Sequence, residues 1–219
     1  MIKGIIFDMD GVLTDSEPLN EEVTRTVLKE KYNIIDSVIL SNNFRGVRSK
    51  DQFDILKSTF NVNGTFEDYM DFKKEIHARL HNGKEFLFSD SKKVLEELKE
   101  NYKLALCTSS IRPTMEKMLK KMDLNIFETI ITGDLLKSGK PNPECYIKSI
   151  NGLKLQPNQC VIIEDAINGV KAAKASGAYC IAVLGSFSKK ELIDAGADIV
   201  INNIKDLTQD IILRLGRDK

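Results

Sequence analysis

Asp8 and Asp10 stand two residues apart in Asp8-Met9-Asp10-Gly11, at the end of a short apolar run. If extended geometry persists to that point, both carboxyls point to one side. Neighbouring carboxylates repel, and one pKa rises unless a cation lies between them. Glu164-Asp165 ends another apolar run and adds two more carboxyls. An all-oxygen rim of this kind suits a hard cation, and partly hydrated Mg²⁺ is its natural occupant. Lys140 lies in Ser138-Gly139-Lys140-Pro141-Asn142-Pro143, a loop stiffened by two prolines and a glycine. A lysine held there is a point charge for a phosphate or a carboxylate. Thr108-Ser109-Ser110 follows a third apolar run and precedes a helical pattern, so its hydroxyls and first N–H groups suit an anion. Singly, each feature has a plainer reading: an Asx/Gly turn, a helix cap with a solvated acid, an exposed loop lysine, an ordinary helix start. Their order along the chain is far more specific than any one of them.

The elements that must position these groups follow from periodicity. Residues 2–7, 104–107, 129–132, 160–163, 179–184 and 198–201 are apolar runs of strand length. Helical patterns lie between them, among them 113–122, 144–150, 170–176 and 207–215. Strands alternating with helices at this spacing predict a doubly wound parallel sheet. Four strand ends then carry polar groups: Asp8/Asp10, Thr108/Ser109, Thr132/Asp134 and Glu164/Asp165. In open α/β sheets such ends converge on one crevice, where ligands bind. Between the first strand and about Leu80 the chain is charged, helical in period and without convincing strands. Ser16 can cap the first helix, with Pro18 tolerated in its first turn. The expected organisation is an α/β core, 1–15 and 85–219, with an all-helical insertion, 16–84, that can sit over the site as a lid.

With 42% hydrophobic and 29% charged residues, the 219-residue chain has the composition of a soluble globular protein able to bury a core. Its formal net charge is zero. That balance gives no global attraction to nucleic acid or to an anionic membrane. Cys107, Cys145, Cys160 and Cys180 form no C-x-x-C pair and read as buried, reduced thiols. His77 and His81 lie four apart without the glutamate of H-E-x-x-H and read as surface residues. No signal-peptide pattern and no apolar run of membrane-spanning length occur. A soluble, cytoplasmic monomer is expected.

The segment Asp8-Met9-Asp10-Gly11-Val12-Leu13-Thr14-Asp15 resembles the first motif of the haloacid dehalogenase-like hydrolases. Thr108-Ser109 fits the second motif, Lys140-Pro141 the third, and Glu164-Asp165 with the following Ala166-Ile167-Asn168-Gly169-Val170 the fourth. The resemblance spans the whole core, a Rossmann-like sheet, and the insertion falls where that family carries its helical cap. Asp15-Ser16-Glu17-Pro18 and Lys140-Pro141-Asn142-Pro143-Glu144 are similar to the β-phosphoglucomutase and sugar-phosphate phosphatase branch.

The resemblance implies that Asp8 attacks phosphorus and forms an aspartyl-phosphate. It implies Mg²⁺ held by Asp8, the Asp10 backbone carbonyl and Asp165, with Glu164 beside it or behind it. Lys140 would sit against Asp8 and a phosphoryl oxygen, while Thr108 and the Ser109 N–H bind the remaining oxygens. Asp10 would act as acid and then base, and Gly11 would allow a sharp turn close to substrate. Hydrolysis of a small phosphate monoester, a sugar phosphate, is the expected activity. Hexose-phosphate mutation is the alternative. It needs the cap to hold a second phosphate, and Arg45, Gly46, Arg48 and Lys50 in Phe44-Arg45-Gly46-Val47-Arg48-Ser49-Lys50 are the candidates. Two departures weigh against it: Ser49 stands where mutases have arginine, and Asn20 where they have histidine. A receiver-type signalling module also combines an acidic Mg²⁺ pocket with Thr/Ser and Lys, but it is shorter and has no helical insertion.

Overall fold

The computed structural model describes residues 1–35, 44, 47–81 and 83–215. Six strands make one parallel sheet: β1 (Gly4–Phe7), β2 (Lys103–Cys107), β3 (Thr129–Ile131), β4 (Cys160–Glu164), β5 (Tyr179–Val183) and β6 (Ile199–Ile201). Their spatial order is β3-β2-β1-β4-β5-β6. β1 pairs with β2 on one edge and β4 on the other. The strand order therefore reverses beside β1, and the crevice at that reversal is where a doubly wound sheet binds ligands. This is the expected α/β architecture.

The strands are apolar throughout because both faces of the sheet are covered. Ile5, Phe7, Leu104, Leu106, Val161 and Ile163 pack into one layer. Ile6, Ala105, Cys107, Cys160 and Ile162 alternate with them and pack into the other. The four cysteines are buried free thiols, as expected.

Nine helices are found among the described residues: α1 (Glu17–Tyr32), α2 (Ser49–Phe60), α3 (Phe66–His81), α4 (Ser91–Leu98), α5 (Arg112–Met118), α6 (Glu144–Gly152), α7 (Ile167–Ala175), α8 (Lys189–Asp194) and α9 (Gln209–Arg214). The first three follow β1, and no strand intervenes among the described residues. α1 packs along α3, with Val23, Val27 and Leu28 meeting the layer that holds Tyr69 and Ile76. Phe53 of α2 joins through rings 5.4 Å from Tyr69 and 6.0 Å from Phe66. None of the described helices is long and apolar enough to cross a membrane.

The chain leaves the sheet and returns to it at one place. The Asp15 N–H donates to Phe86 O at 2.7 Å, the Phe88 N–H donates to Leu13 O at 3.0 Å, and Thr14 bridges Leu87 in antiparallel fashion.

Three local expectations change. Ser16 occupies the N-cap of α1 but makes no capping bond; its hydroxyl goes to the Asp10 carboxylate instead. The helix expected over 113–122 is α5, which ends at Met118. After an intervening turn the chain enters a short 3₁₀ helix, Leu124–Ile126, which Asp123 caps by accepting the Asn125 N–H. His81 is buried and His77 half-buried, not on the surface. The i,i+4 pair faces the junction with Phe86, whose ring lies 5.2 Å from His81.

Candidate active site

β1 delivers Asp8 to the crevice. Its N–H donates to Ile163 O at 2.9 Å, which extends the pairing with β4 by one residue. Gly11 then turns the chain at φ 78°. The turn needs glycine twice over: that φ is left-handed, and the Asp165 carboxylate fills the space a Cβ would take.

Lys140 reaches the same point from the loop before α6. Its Nζ donates to Asp8 Oδ1 at 2.8 Å and to Glu164 Oε1 at 2.5 Å. Burial alone would lower the ammonium's pKa. Asp8 and Glu164 outweigh it and hold Lys140 well above its ordinary value. Glu164 receives three further donors. Tyr146 Oη gives to Oε1 at 2.6 Å, and the backbone N–H groups of Asp165 and Ala166 give to Oε2 at 2.9 and 3.0 Å. The carboxylate lies against Gly169, where a Cβ would collide with it. That close approach accounts for a glycine in the first turn of α7.

Asp8, Glu164 and Asp165 are all buried, and one ligand atom from each lies within 4.8 Å of the others. Burial raises Asp8 well above the usual carboxylate range, reinforced by Glu164 and Asp10. Burial likewise raises Asp165, with Glu164, Glu17 and Asp8 adding to it. Lys140 supplies one positive charge among these carboxyls. An all-oxygen, carboxylate-rich donor set of this size fits Mg²⁺.

Asp10 does not join this cluster. Its Oδ1 accepts from Ser16 Oγ and from Asn20 Nδ2, the latter at 3.0 Å. Its Oδ2 meets Ser110 Oγ at 3.2 Å and Thr108 Oγ1 at 3.5 Å. The two aspartates at the end of β1 thus diverge, one toward the lysine and one toward hydroxyls and an amide. Thr108 Oγ1 also accepts the Ser110 N–H at 3.0 Å, which shapes the turn after β2. Ser109 and Ser110 line the pocket with Asp8, Asp10 and Asp165. Thr132 and Asp134 do not; Asp134 caps α5 by accepting the Arg112 N–H at 3.0 Å.

The helices after β1 close the pocket from the other side with Asn20, Thr24, Phe44, Val47, Ser49, Gln52 and Lys73. Lys73 Nζ donates to Gln52 Oε1 at 2.7 Å and to Ser49 Oγ at 3.0 Å. Gln52 is itself fixed by Phe44 O, Val47 O and Tyr69 Oη. Burial lowers the Lys73 pKa to about 8, against the attraction of Asp10 and Glu17. Arg48 points elsewhere. It makes a two-pronged pair with Asp51 at 2.9 and 3.2 Å and donates to Leu136 O and Lys137 O at 2.5 and 3.0 Å. It ties the start of α2 to the loop that leads to Lys140. Lys50 pairs with Asp54 on the surface. Arg45 and Gly46 lie outside the described residues.

Three residues of this site were not anticipated. Ser110 shares the hydroxyl run after β2, but nothing in the sequence marks Asp10 as its partner. Tyr146 sits three residues beyond the end of the Pro-Asn-Pro loop with nothing local to mark it. Lys73 carried a signal: it falls on the apolar stripe Tyr69, Ile76, Leu80, where a charged side chain breaks the pattern.

A family model described as haloacid dehalogenase-like hydrolase matches residues 5–183. The phosphorylated carbohydrates phosphatase of Thermotoga maritima is 34% identical over 203 residues, covering 90% of this chain and 92% of that one. The beta-phosphoglucomutase of Bacillus subtilis is 26% identical over 223 residues, covering 96% and 94%. Among solved structures, a hydrolase from Pseudomonas syringae superposes with a TM-score of 0.83 at 27% identity, covering 94% of this chain and 95% of that one. The matched span runs from β1 through β5 and so contains each group that meets Lys140. This chain belongs to the haloacid dehalogenase-like hydrolases.

Proposed function

We propose that this protein hydrolyses a small sugar phosphate with Mg²⁺, through an aspartyl-phosphate on Asp8. The observation that carries the reading is the Lys140 ammonium shared between Asp8 and Glu164 in a buried, oxygen-rich cluster. The shared charge holds Asp8 in place and offsets its repulsion toward an incoming phosphate. Asp8 and Asp165, with the Asp10 backbone carbonyl, would hold Mg²⁺; Glu164 stands behind them, its oxygens already taken by four donors. The metal, when bound, supplies the charge neutralisation that phosphoryl transfer requires.

The remaining roles fall to groups in the pocket. Thr108 and the Ser109 N–H bind the phosphoryl oxygens. Asp10, held off the metal cluster by Ser16, Asn20 and Ser110, protonates the leaving oxygen and later takes a proton from the attacking water. The segment 16–84 acts as a cap that excludes bulk water, and Lys73 of that cap meets the leaving group. The similarity to a phosphorylated carbohydrates phosphatase supports a sugar phosphate as substrate.

Similarity to a beta-phosphoglucomutase along nearly the whole chain supports a second reading, in which a sugar hydroxyl takes the place of water. The commitment of Arg48 to Asp51 and two carbonyls, and the asparagine at position 20, weigh against it.

The test uses purified protein with Mg²⁺ and a panel of sugar phosphates. One member is β-glucose 1-phosphate with a trace of glucose 1,6-bisphosphate, and Asp8→Asn is the control. Phosphate release that disappears in Asp8→Asn and on chelation, with a phosphorylated Asp8 peptide after acid quench, is the expected result. Glucose 6-phosphate formed without phosphate release would establish the mutase instead.

A further inference from the structure

We infer that Tyr146 is a positioning residue for phosphoryl transfer, its phenol setting how the Lys140 ammonium is divided between Asp8 and Glu164. The inference rests on Asp8 being the nucleophile. Tyr146 is wholly buried on α6, and its hydroxyl and ring both address Lys140.

The hydroxyl acts through Glu164. Tyr146 Oη and Lys140 Nζ donate to the same atom, Glu164 Oε1, at 2.6 and 2.5 Å. Two donors on one oxygen share its electron density, so the phenol limits how strongly Oε1 draws the ammonium. The carboxylate has no freedom to turn its other oxygen to Lys140. Oε2 is engaged by the N–H groups of Asp165 and Ala166, and Gly169 closes on the group from α7. What Oε1 does not take is directed to the remaining partner, Asp8 Oδ1 at 2.8 Å.

The ring acts directly. Lys140 Nζ lies 5.1 Å from the ring centroid, within cation–π range. The aromatic ring therefore adds its own attraction to the ammonium beside the Glu164 carboxylate its hydroxyl holds. Without the hydroxyl, Oε1 has one donor left and the Lys140–Glu164 pair tightens. Charge is withdrawn from Asp8 at the stage when a phosphoryl oxygen arrives. That loss belongs to the transition state and appears in kcat, not in KM.

The experiment compares Tyr146→Phe, Tyr146→Leu, Glu164→Gln and the Tyr146→Phe/Glu164→Gln pair with the wild type. Each is Mg²⁺-loaded and assayed on the sugar phosphate the wild type hydrolyses best. Phe keeps the ring and the packing and removes only the donor. It should lower kcat about tenfold, the weight of one hydrogen bond to a charged group, with KM and Mg²⁺ affinity within about twofold. Leu, which also removes the ring, should lower kcat further. In the Glu164→Gln background the Phe substitution should cost little, because its route to Lys140 is gone. A Tyr146→Phe enzyme with wild-type kcat, whatever its melting temperature, would overturn the inference. So would a change confined to KM, or a Phe effect that adds in full to Glu164→Gln. If wild-type turnover survived Asp8→Asn, the nucleophile reading itself would fall and this inference with it, which separates the two failures.

Discussion

Two lysines, one from each side of the molecule, differ in their surroundings: Lys140 is buried against Asp8, and Lys73 is half-buried and lines the pocket. Lys140 of the core is held by two carboxylates. Lys73 of the α1–α3 region is held by an amide oxygen and a hydroxyl. Burial pulls both pKa values down, yet the carboxylates carry Lys140 well above its ordinary value while Lys73 settles at about 8. A cation balanced by two anions spends its charge on geometry. A cation solvated by neutral groups keeps its charge for whatever enters the pocket. On the proposed function, the core lysine would belong to the machinery and the other lysine to recognition.

Replacing each lysine sharpens that contrast. Lys140→Met should give the largest effect, with kcat reduced at least about 10³-fold, as for residues that act as a unit with the nucleophile. It also leaves Asp8 and Glu164 buried without their cation, a loss of about 3–5 kcal/mol in metal-free protein that denaturant unfolding would register. Lys73→Met should lower kcat/KM by about 10–100-fold, the range for one lost charged contact, and leave stability unchanged or improved.

The Lys73 charge has a signature in pH. It is present below about 8 and lost as pH rises through that value. Wild-type kcat/KM, which reports the free enzyme, should therefore fall above pH 8. Lys73→Arg should move that limb upward and Lys73→Met should abolish it. An alkaline limb unchanged in Lys73→Arg would remove Lys73 from the recognition role.

The smallest effect is expected at the junction between the two regions. Burial first, then Lys117, His81 and Lys73, lowers His77 to about 4 from an ordinary 6.5. Between those values the unfolded chain binds the proton and the folded one does not, so stability is full above about 6.5 and falls as pH drops toward 4. The wild-type melting temperature should decline through this window. His77→Gln should flatten the decline by about 2–4 °C, read by calorimetry. A slope identical in the variant would take His77 out of the acid sensitivity.

The same contrast governs what was legible in the sequence. Asp8, Thr108 and Glu164-Asp165 sit at or beside the ends of apolar runs, and a parallel sheet brings such ends together whatever else the chain does; Lys140 lies on the proline-stiffened loop beyond the run 129–132. Their meeting followed from topology. The opposite wall follows from helix phase and tertiary packing. Lys73 was marked only by interrupting an apolar stripe, and Arg48, a natural candidate for a second phosphate, turned to Asp51 and the loop before Lys140. Ser16 looked like a helix cap because its type and place fit one, yet a stronger acceptor, the Asp10 carboxylate, lay within reach. Tyr146 had no local mark, since its meaning depends on a carboxylate eighteen positions later. The histidines differ from expectation for a related reason: His81 packs on Phe86, beyond the end of its own helix, and Lys117, distant in sequence, bears on both electrostatically.

The clasp formed by residues 13–15 and 86–88 has a consequence for the chain as a polymer. Everything between those short segments begins and ends at one point of the core, a few ångströms apart. For the sheet, the whole stretch is a single closed loop, and the entropy of closing a loop grows only with the logarithm of its length. Lengthening, shortening or exchanging the stretch therefore costs the sheet little. Grafting a different helical segment between Asp15 and Phe86 should leave the Asp8–Lys140–Glu164 geometry standing while altering which molecules reach it. If the proposed function holds, the clasp would make substrate choice an exchangeable part mounted on a fixed phosphoryl-transfer engine.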